Sequence, residues 1–172
     1  MEFRPWVMAG MATVMVIVSA VNGGAERCQR PSLPRNVELF ADFGHAFQRI
    51  YQRSPTFRAQ CERIGDASNL RVRVRLNAAL PRSCRAFTTV ERYSGGIIRA
   101  EVSLPPGSDY SELIGHEFEH LIEQIEGVNL RRLSRLRGSG VREVERELFE
   151  SDRAQAAGRI VYEEVRQFRA TD

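Results

Sequence analysis

Residues 97–127 read IIRAEVSLPPGSDYSELIGHEFEHLIEQIEG, and they predict a strand that is followed by a long helix. Apolar and polar residues alternate over the first eight positions with the period of a half-buried strand, and a Pro-Pro-Gly sequence ends that strand. Asp109 and Glu112 then form a capping-box pattern at the start of the helix. Gly127 closes the helix at its other end. The remaining elements are predicted around this strand and helix.

The rest of the chain predicts an α+β fold. Apolar residues recur at three- and four-residue spacing in the first part, where Ser54 and Pro55 mark the start of a helix. Alternating residues indicate two more strands, and a Ser-Gly-Gly turn joins the second of these to the strand over 97–104. We therefore predict N-terminal helices, a small and mainly antiparallel sheet, the helix described above, and a C-terminal helix rich in glutamate. Helices are expected over 36–52, 54–65 and 141–168, and strands over 70–76 and 84–93.

The composition is that of an ordinary globular domain. With 172 residues, of which 42% are apolar and 27% charged, the chain is long enough for one hydrophobic core and too apolar to be disordered. All 25 basic side chains are arginines, and they are interspersed with 22 acidic residues instead of forming one stripe. We therefore expect no nucleic-acid partner.

The first 25 residues predict a signal peptide. A short segment containing Arg4 precedes an apolar run over 7–21, and small residues follow it as far as Ala25. The run is shorter than the roughly 20 apolar residues of a membrane-spanning helix. We expect cleavage after Ala25 or Ala20, a secreted or periplasmic protein, and a single domain over 26–172. An uncleaved segment, which would anchor the protein to the membrane, is the alternative.

Export also affects how the three cysteines are interpreted. In an oxidising compartment Cys61 and Cys84 could pair, which would leave Cys28 over. The odd number is equally compatible with the absence of any disulfide. No C-x-x-C spacing occurs, so a cysteine zinc site is not expected.

The central helix contains the motif HExxH at positions 116–120. Residues four apart lie on one face of a helix, about 6 Å apart along its axis, so His116 and His120 can reach one metal ion. Glu117 is rotated by about 100° from His116 and could instead hold and deprotonate a water molecule at the metal. His45, on the first helix, has no partner at ligand spacing, and we assign it a structural role.

A helical wheel separates this motif from the apolar face of the helix. Phe118 belongs to an apolar stripe that must face the core, whereas the two motif histidines lie roughly opposite it. Core histidines would lie within the stripe, so the wheel favours metal binding. The remaining acidic residues of the helix form a third face, which we expect to be exposed to solvent: Glu119, Glu123 and Glu126.

The segment over 84–165 resembles the zincin metallopeptidases, and in particular the gluzincins, in which HExxH supplies two histidine ligands. The resemblance implies a minimal zincin-like fold, Zn²⁺ as cofactor, a peptide or protein substrate, and Glu117 as the base that activates water. It also implies that the strand over 97–104 runs along the active-site cleft, where an extended substrate could pair with it.

In gluzincins the third metal ligand is a glutamate from a later helix. We favour Glu150, because it shares a face of the predicted C-terminal helix with small residues that would allow close packing. Glu147, which is rotated by about 60° from it, is the alternative. Gluzincins often carry an aspartate four residues after this glutamate, where it supports a histidine. Asp152 does not lie four residues after either Glu150 or Glu147.

Peptide hydrolysis also requires a donor for the oxyanion, and Tyr110, Tyr162 and Arg153 are the candidates. Two other functions remain open. A zincin-like module could bind the metal or a partner without turnover. Alternatively, the chain could be an interaction protein in which HEFEH is a solvated helix face.

Overall fold

The computed structural model describes residues 33–40, 43–80, 85–107 and 109–168, which contain six strands and five helices. In chain order, the elements are β1 (Val37–Leu39), α1 (Gly44–Arg53), α2 (Pro55–Asp66), β2 (Leu70–Leu76), β3 (Phe87–Arg92), β4 (Ile98–Leu104), α3 (Tyr110–Ile125), α4 (Leu130–Leu133), β5 (Val141–Glu145), β6 (Leu148–Ser151) and α5 (Asp152–Gln167). The α+β class that the sequence predicted is therefore present.

The main sheet has the strand order β1-β2-β4-β3. β1 pairs with β2 and β2 with β4 in parallel, and only β3 and β4 are antiparallel. The prediction of a mainly antiparallel sheet is thus wrong for this sheet. Two helices, α1 and α2, lie between β1 and β2 in the chain, and such a crossover brings the second strand back in the same direction. The tight turn at 94–96 brings β3 back alongside β4. Because the other side of β4 is paired with β2, β3 lies at the edge of the sheet.

The core lies between this sheet and the helices. It contains the inward side chains of β2 and β4, such as Val74 and Val102, and four phenylalanines, of which three lie on α1, α2 and α3 and one lies just before α1. The phenylalanine inside the HExxH motif, Phe118, is fully buried and stacks on Phe57 of α2 with 5.2 Å between ring centroids. As the wheel predicted, the apolar stripe of α3 faces the core.

The helix predicted over 36–52 is in fact a short strand followed by a helix. Asn36 donates from its side chain to the carbonyl of Ile64, 2.6 Å away, at the end of α2. The three following residues, Val37–Leu39, can then pair with β2, and α1 begins only at Gly44. The next helix starts as predicted, because the Ser54 side chain accepts a hydrogen bond from the backbone N–H of Phe57.

The helix predicted over 141–168 is wrong in its first third. β5 and β6 form an antiparallel hairpin, and α5 begins only at Asp152. Glu147 has a φ of 64°, in the left-handed region, and lies in the turn between the two strands. Ser151 then starts the helix by accepting a hydrogen bond from the N–H of Ala154. The sequence of this hairpin therefore has the residue spacing of a helix, although its backbone is extended.

Some predictions fall on residues that are not described. The signal peptide over 1–25, Cys28 and Cys84 lie outside the described residues, so the pairing of Cys84 with Cys61 does too. Cys61 itself is buried in α2. Among the described residues, no helix is both long and apolar enough to cross a membrane.

Candidate metal centre

Three side chains of the described residues converge at the middle of α3. His116 and His120 extend from this helix, and Glu150 reaches them from β6. One Glu150 oxygen, Oε1, lies 3.3 Å from Nε2 of His116 and 3.6 Å from Nε2 of His120. Glu150, which the sequence favoured as the third ligand, therefore lies beside both histidines, but it belongs to a strand and not to the predicted helix.

These distances fit a metal ion of the size of zinc. Tetrahedral zinc with ligand bonds of about 2.0–2.2 Å separates its ligand atoms by about 3.3–3.6 Å. One carboxylate and two imidazoles form the donor set of many catalytic zinc sites, which leave a fourth position open. The three side chains are between 12% and 20% exposed, so the site is accessible from one side.

The charges of these groups suit ligation. Burial lowers the pKa of His116, and the nearby Glu150 carboxylate opposes this only in part. Burial also acts against ionisation of Glu150, but its hydrogen bond with His120 and the charge of His116 hold its pKa below the ordinary value. For His120, burial acts to lower the pKa, yet hydrogen bonds to Glu123 and Glu150 raise it to about 10. Metal binding at His120 would therefore displace a proton.

Glu117 lies beside this cluster and is buried. Its Oε2 accepts a hydrogen bond of 2.7 Å from the Thr88 hydroxyl on β3. Burial raises the pKa of Glu117 to about 7, although the Thr88 hydrogen bond and the charge of His120 act in the opposite direction. A carboxylate with a pKa near neutrality can both take up and release a proton. The role of Thr88 could not be predicted from the sequence, because nothing near a strand threonine in the chain indicates that it contacts a distant helix.

Glu123 supports His120 from the side opposite the cluster. Its Oε2 lies 2.8 Å from Nδ1 of His120, and because a carboxylate only accepts, this nitrogen carries a proton. Nε2 is then left to face Glu150. The other oxygen of Glu123 accepts a hydrogen bond of 2.6 Å from the Ser151 hydroxyl. Glu123 thus holds the His120 ring, which is the role that an aspartate four residues beyond the third ligand often has in gluzincins.

The prediction that Glu119 and Glu123 are exposed is wrong. They are only 8% and 2% exposed, respectively. Glu119 accepts hydrogen bonds of 2.7 Å from Gln60 on α2 and from Arg153 on α5. Both acidic side chains are buried because α2, β6 and α5 cover this face of α3 and supply polar partners. The wheel showed that they differ from the apolar stripe, but it could not show what packs against them.

Helix α5 packs very closely against α3, and the two helices are antiparallel. A Cβ atom added at Gly158 would lie 2.8 Å from the carbonyl oxygen of Glu112 and 3.0 Å from Cβ of His116. One added at Gly115 would lie 2.7 Å from the side chain of Val161. Glycine therefore permits the approach that places the start of α5, and with it the end of β6, beside the motif histidines.

Comparison of the chain with protein-family models, with curated proteins and with solved structures finds no match. We therefore infer function from the site itself.

A cleft of about 650 Å³ opens beside the cluster. β3 forms one wall, α3 the floor, and the β5–β6 hairpin with α5 the opposite wall. Glu147 lies on the rim of this cleft, where its carboxylate pairs with Arg131 and not with the histidines. It is thus not part of the cluster that Glu150 completes.

None of the three predicted oxyanion donors lines the cleft. The Tyr110 ring packs on Phe43, and its hydroxyl accepts a hydrogen bond from the N–H of Gly107. The Arg153 guanidinium is held on the other side of α3 by Glu119 and Glu126. Tyr162 is partly buried on α5 and does not line the cleft.

The strand next to the cleft is also not the predicted one. β4 is hydrogen-bonded on both sides, to β2 and to β3, so it has no edge that a substrate could join. β3 is one of the two edge strands of the described sheet, and four residues over 86–90 line the cleft. His45 is exposed on α1, outside the cluster.

Proposed function

We propose that this protein is a secreted or periplasmic zinc-dependent peptidase that hydrolyses peptide bonds. One observation carries the proposal. The ligand atoms of His116, His120 and Glu150 lie within 4.8 Å of one another, and the buried Glu117 carboxylate stands beside them at a cleft. Two imidazoles, one carboxylate and a neighbouring base are the groups that metal-assisted hydrolysis requires.

Each of these residues has a defined role in the proposal. His116, His120 and Glu150 hold the metal, and Glu123 orients His120 through Nδ1. Zinc bound there supplies a Lewis acid that polarises the scissile carbonyl and lowers the pKa of water. Glu117 takes the proton from the attacking water and passes it to the leaving amine. The Thr88 hydroxyl keeps the Glu117 carboxylate in position for both transfers.

The cleft also supports a peptide as substrate. No strand of the described residues pairs with the outer edge of β3, and an extended chain can add to such an edge through backbone hydrogen bonds. An extended peptide bound in this way would lie across the floor formed by α3, where the histidines and Glu117 line the cleft.

The experiment that tests the proposal compares Glu117→Gln with Glu119→Gln in the zinc-loaded protein. The amide at position 117 can still hold water but cannot accept its proton, so we expect zinc binding to be retained and peptide hydrolysis to be lost. Glu119, in the same motif, contacts Gln60 and Arg153 and not the cleft, so its variant serves as the matched control. Zinc content is measured by atomic absorption, and turnover with casein and a quenched-peptide library.

Two outcomes would overturn the proposal. Wild-type activity in Glu117→Gln would exclude the mechanism. Zinc binding by the wild-type protein without hydrolysis of any substrate would instead identify a metal-binding protein that lacks turnover.

A further inference from the structure

The two ends of the cleft differ in the charged groups that they offer. β3 runs alongside α3, because Arg85 pairs with Glu112 near the start of the helix and Arg92 binds Gln124 near its end. These two helix positions are about 18 Å apart. Apolar side chains line the cleft at both ends: Ala86, Phe87 and Leu113 next to Arg85 and Glu112, and Val90 and Leu130 toward Gln124.

Arg159 lies at the opposite end. It follows Gly158, which packs on Glu112 and His116, so it projects from α5 beside the first half of α3. Its side chain is exposed and lines the cleft, as does Gln155 one turn earlier on the same face of α5. A peptide lying across the motif histidines would therefore pass within the reach of this arginine.

Other charged groups on the walls are already paired. Glu112 neutralises Arg85, with 3.2 Å between them, and Arg131 neutralises Glu147. Among the residues that the structure describes, none forms an ion pair or a hydrogen bond with the Arg159 guanidinium. A guanidinium offers five N–H donors in a planar fork that matches a carboxylate.

We propose that Arg159 binds a carboxylate of the substrate, so that the enzyme selects peptides with an acidic group on the His116 side of the scissile bond. This inference rests on the proposed function and assigns a specificity-determining residue to it. The carboxylate can come from an aspartate or glutamate side chain or from the C-terminus of the peptide. The apolar residues at the other end of the cleft would then accept an uncharged side chain, which would fix the direction of the peptide.

The test uses quenched octapeptides in which each position in turn is Glu, Gln or Lys, and each peptide is made as a free acid and as a C-terminal amide. We expect kcat/KM to be about tenfold higher for a carboxylate at one position than for its amide. Arg159→Gln should abolish this preference, Arg159→Lys should retain part of it, and Arg159→Glu should favour the Lys peptide. Arg166→Gln removes an exposed arginine of the same helix outside the cleft and should change nothing.

Peptide binding is measured separately, by calorimetry on the zinc-loaded Glu117→Gln protein and on the same protein with Arg159→Gln. Tighter binding of the carboxylate peptide that depends on Arg159 supports the inference even if no peptide is hydrolysed, in which case only the proposed function fails. Equal kcat/KM and equal affinity for carboxylate and amide peptides would overturn it. So would a preference that persists in Arg159→Gln, or the absence of binding by every peptide.

Discussion

Glu150 reaches the two histidines from β6, the second strand of the hairpin. The residue that follows it contributes to the same site in another way. Ser151 caps α5 and donates to Glu123, which in turn holds His120. A single dipeptide thus supplies one proposed ligand and the support for another. Changes at these positions should therefore be visible in metal affinity.

The first prediction compares Glu150→Ala with Glu147→Ala. Loss of the Glu150 carboxylate leaves two imidazoles, so zinc affinity should fall by orders of magnitude. Glu147 is paired with Arg131 at the rim, and its removal should change zinc affinity much less. Competition with a chelator gives both affinities, and circular dichroism checks that each variant is folded. A loss confined to Glu147→Ala would exclude the arrangement described here.

The second prediction concerns Glu123. Glu123→Ala frees the His120 ring to rotate and removes the charge that favours Nδ1–H, so zinc affinity should fall by about 10–100-fold. Glu123→Gln keeps an oxygen that can accept from Nδ1, so its loss should be smaller. Glu126→Gln, at the exposed residue that caps the same helix, is the matched control in the same chelator titration. If all three variants bind zinc like the wild type, His120 is oriented by something else.

At the scale of the elements, the packing of α5 on α3 determines where Glu150 stands. Gly115 and Gly158 lie on facing sides of this interface, and each is in contact with the other helix. In an interior packed at this density, the neighbouring atoms cannot move far enough to make room for an added methyl group. An alanine on either side must therefore push the helices apart, together with β6 at the start of α5.

The third prediction follows for Gly115→Ala. Alanine favours the helix by about 1 kcal/mol over glycine, but the overlap with Val161 should outweigh this and lower the free energy of unfolding by about 1–3 kcal/mol. Adding Val161→Ala removes the atoms that the new methyl group meets, so the double variant should be more stable than the sum of the two single effects predicts. Urea unfolding of the four proteins measures this coupling. Strict additivity would mean that the two residues do not touch.

At the scale of the whole molecule, the three proposed ligands connect parts of the chain that are distant in sequence. His116 and His120 come from α3, whereas Glu150 follows the α4 segment and most of the hairpin. A metal ion that binds all three only in the folded state stabilises that state by mass action. The proposed cofactor would thus act on stability as well as on chemistry.

The fourth prediction is that zinc raises the melting temperature and that EDTA reverses the effect. At free zinc of 100 times the dissociation constant, stabilisation should be about 2.7 kcal/mol. His116→Ala should melt at a temperature that no longer depends on zinc, and His45→Ala, whose histidine is exposed on α1, should behave like the wild type. Differential scanning calorimetry with and without the chelator gives the comparison. An equal shift in His116→Ala would locate the zinc elsewhere.

Features that depend on neighbouring residues could be predicted from the sequence. The start of α3 at Asp109, the start of α2 at Ser54 and the alternation along β2 are local, because caps and side-chain periods act over a few residues. The spacing of His116 and His120 is local in the same sense, since one helical turn brings the two rings together, with 4.9 Å between their centroids.

Contacts between distant segments could not be predicted in this way. The hairpin of β5 and β6 has glutamates at spacings that also suit a helix, and only pairing between the two strands determines the extended form. Strand order depends on how the connections pack, so β3 and not β4 borders the cleft. Glu123 is buried because Ser151 comes to it from 28 residues away. One sequence provides the donors and acceptors, but which of them meet depends on packing free energies summed over the whole chain.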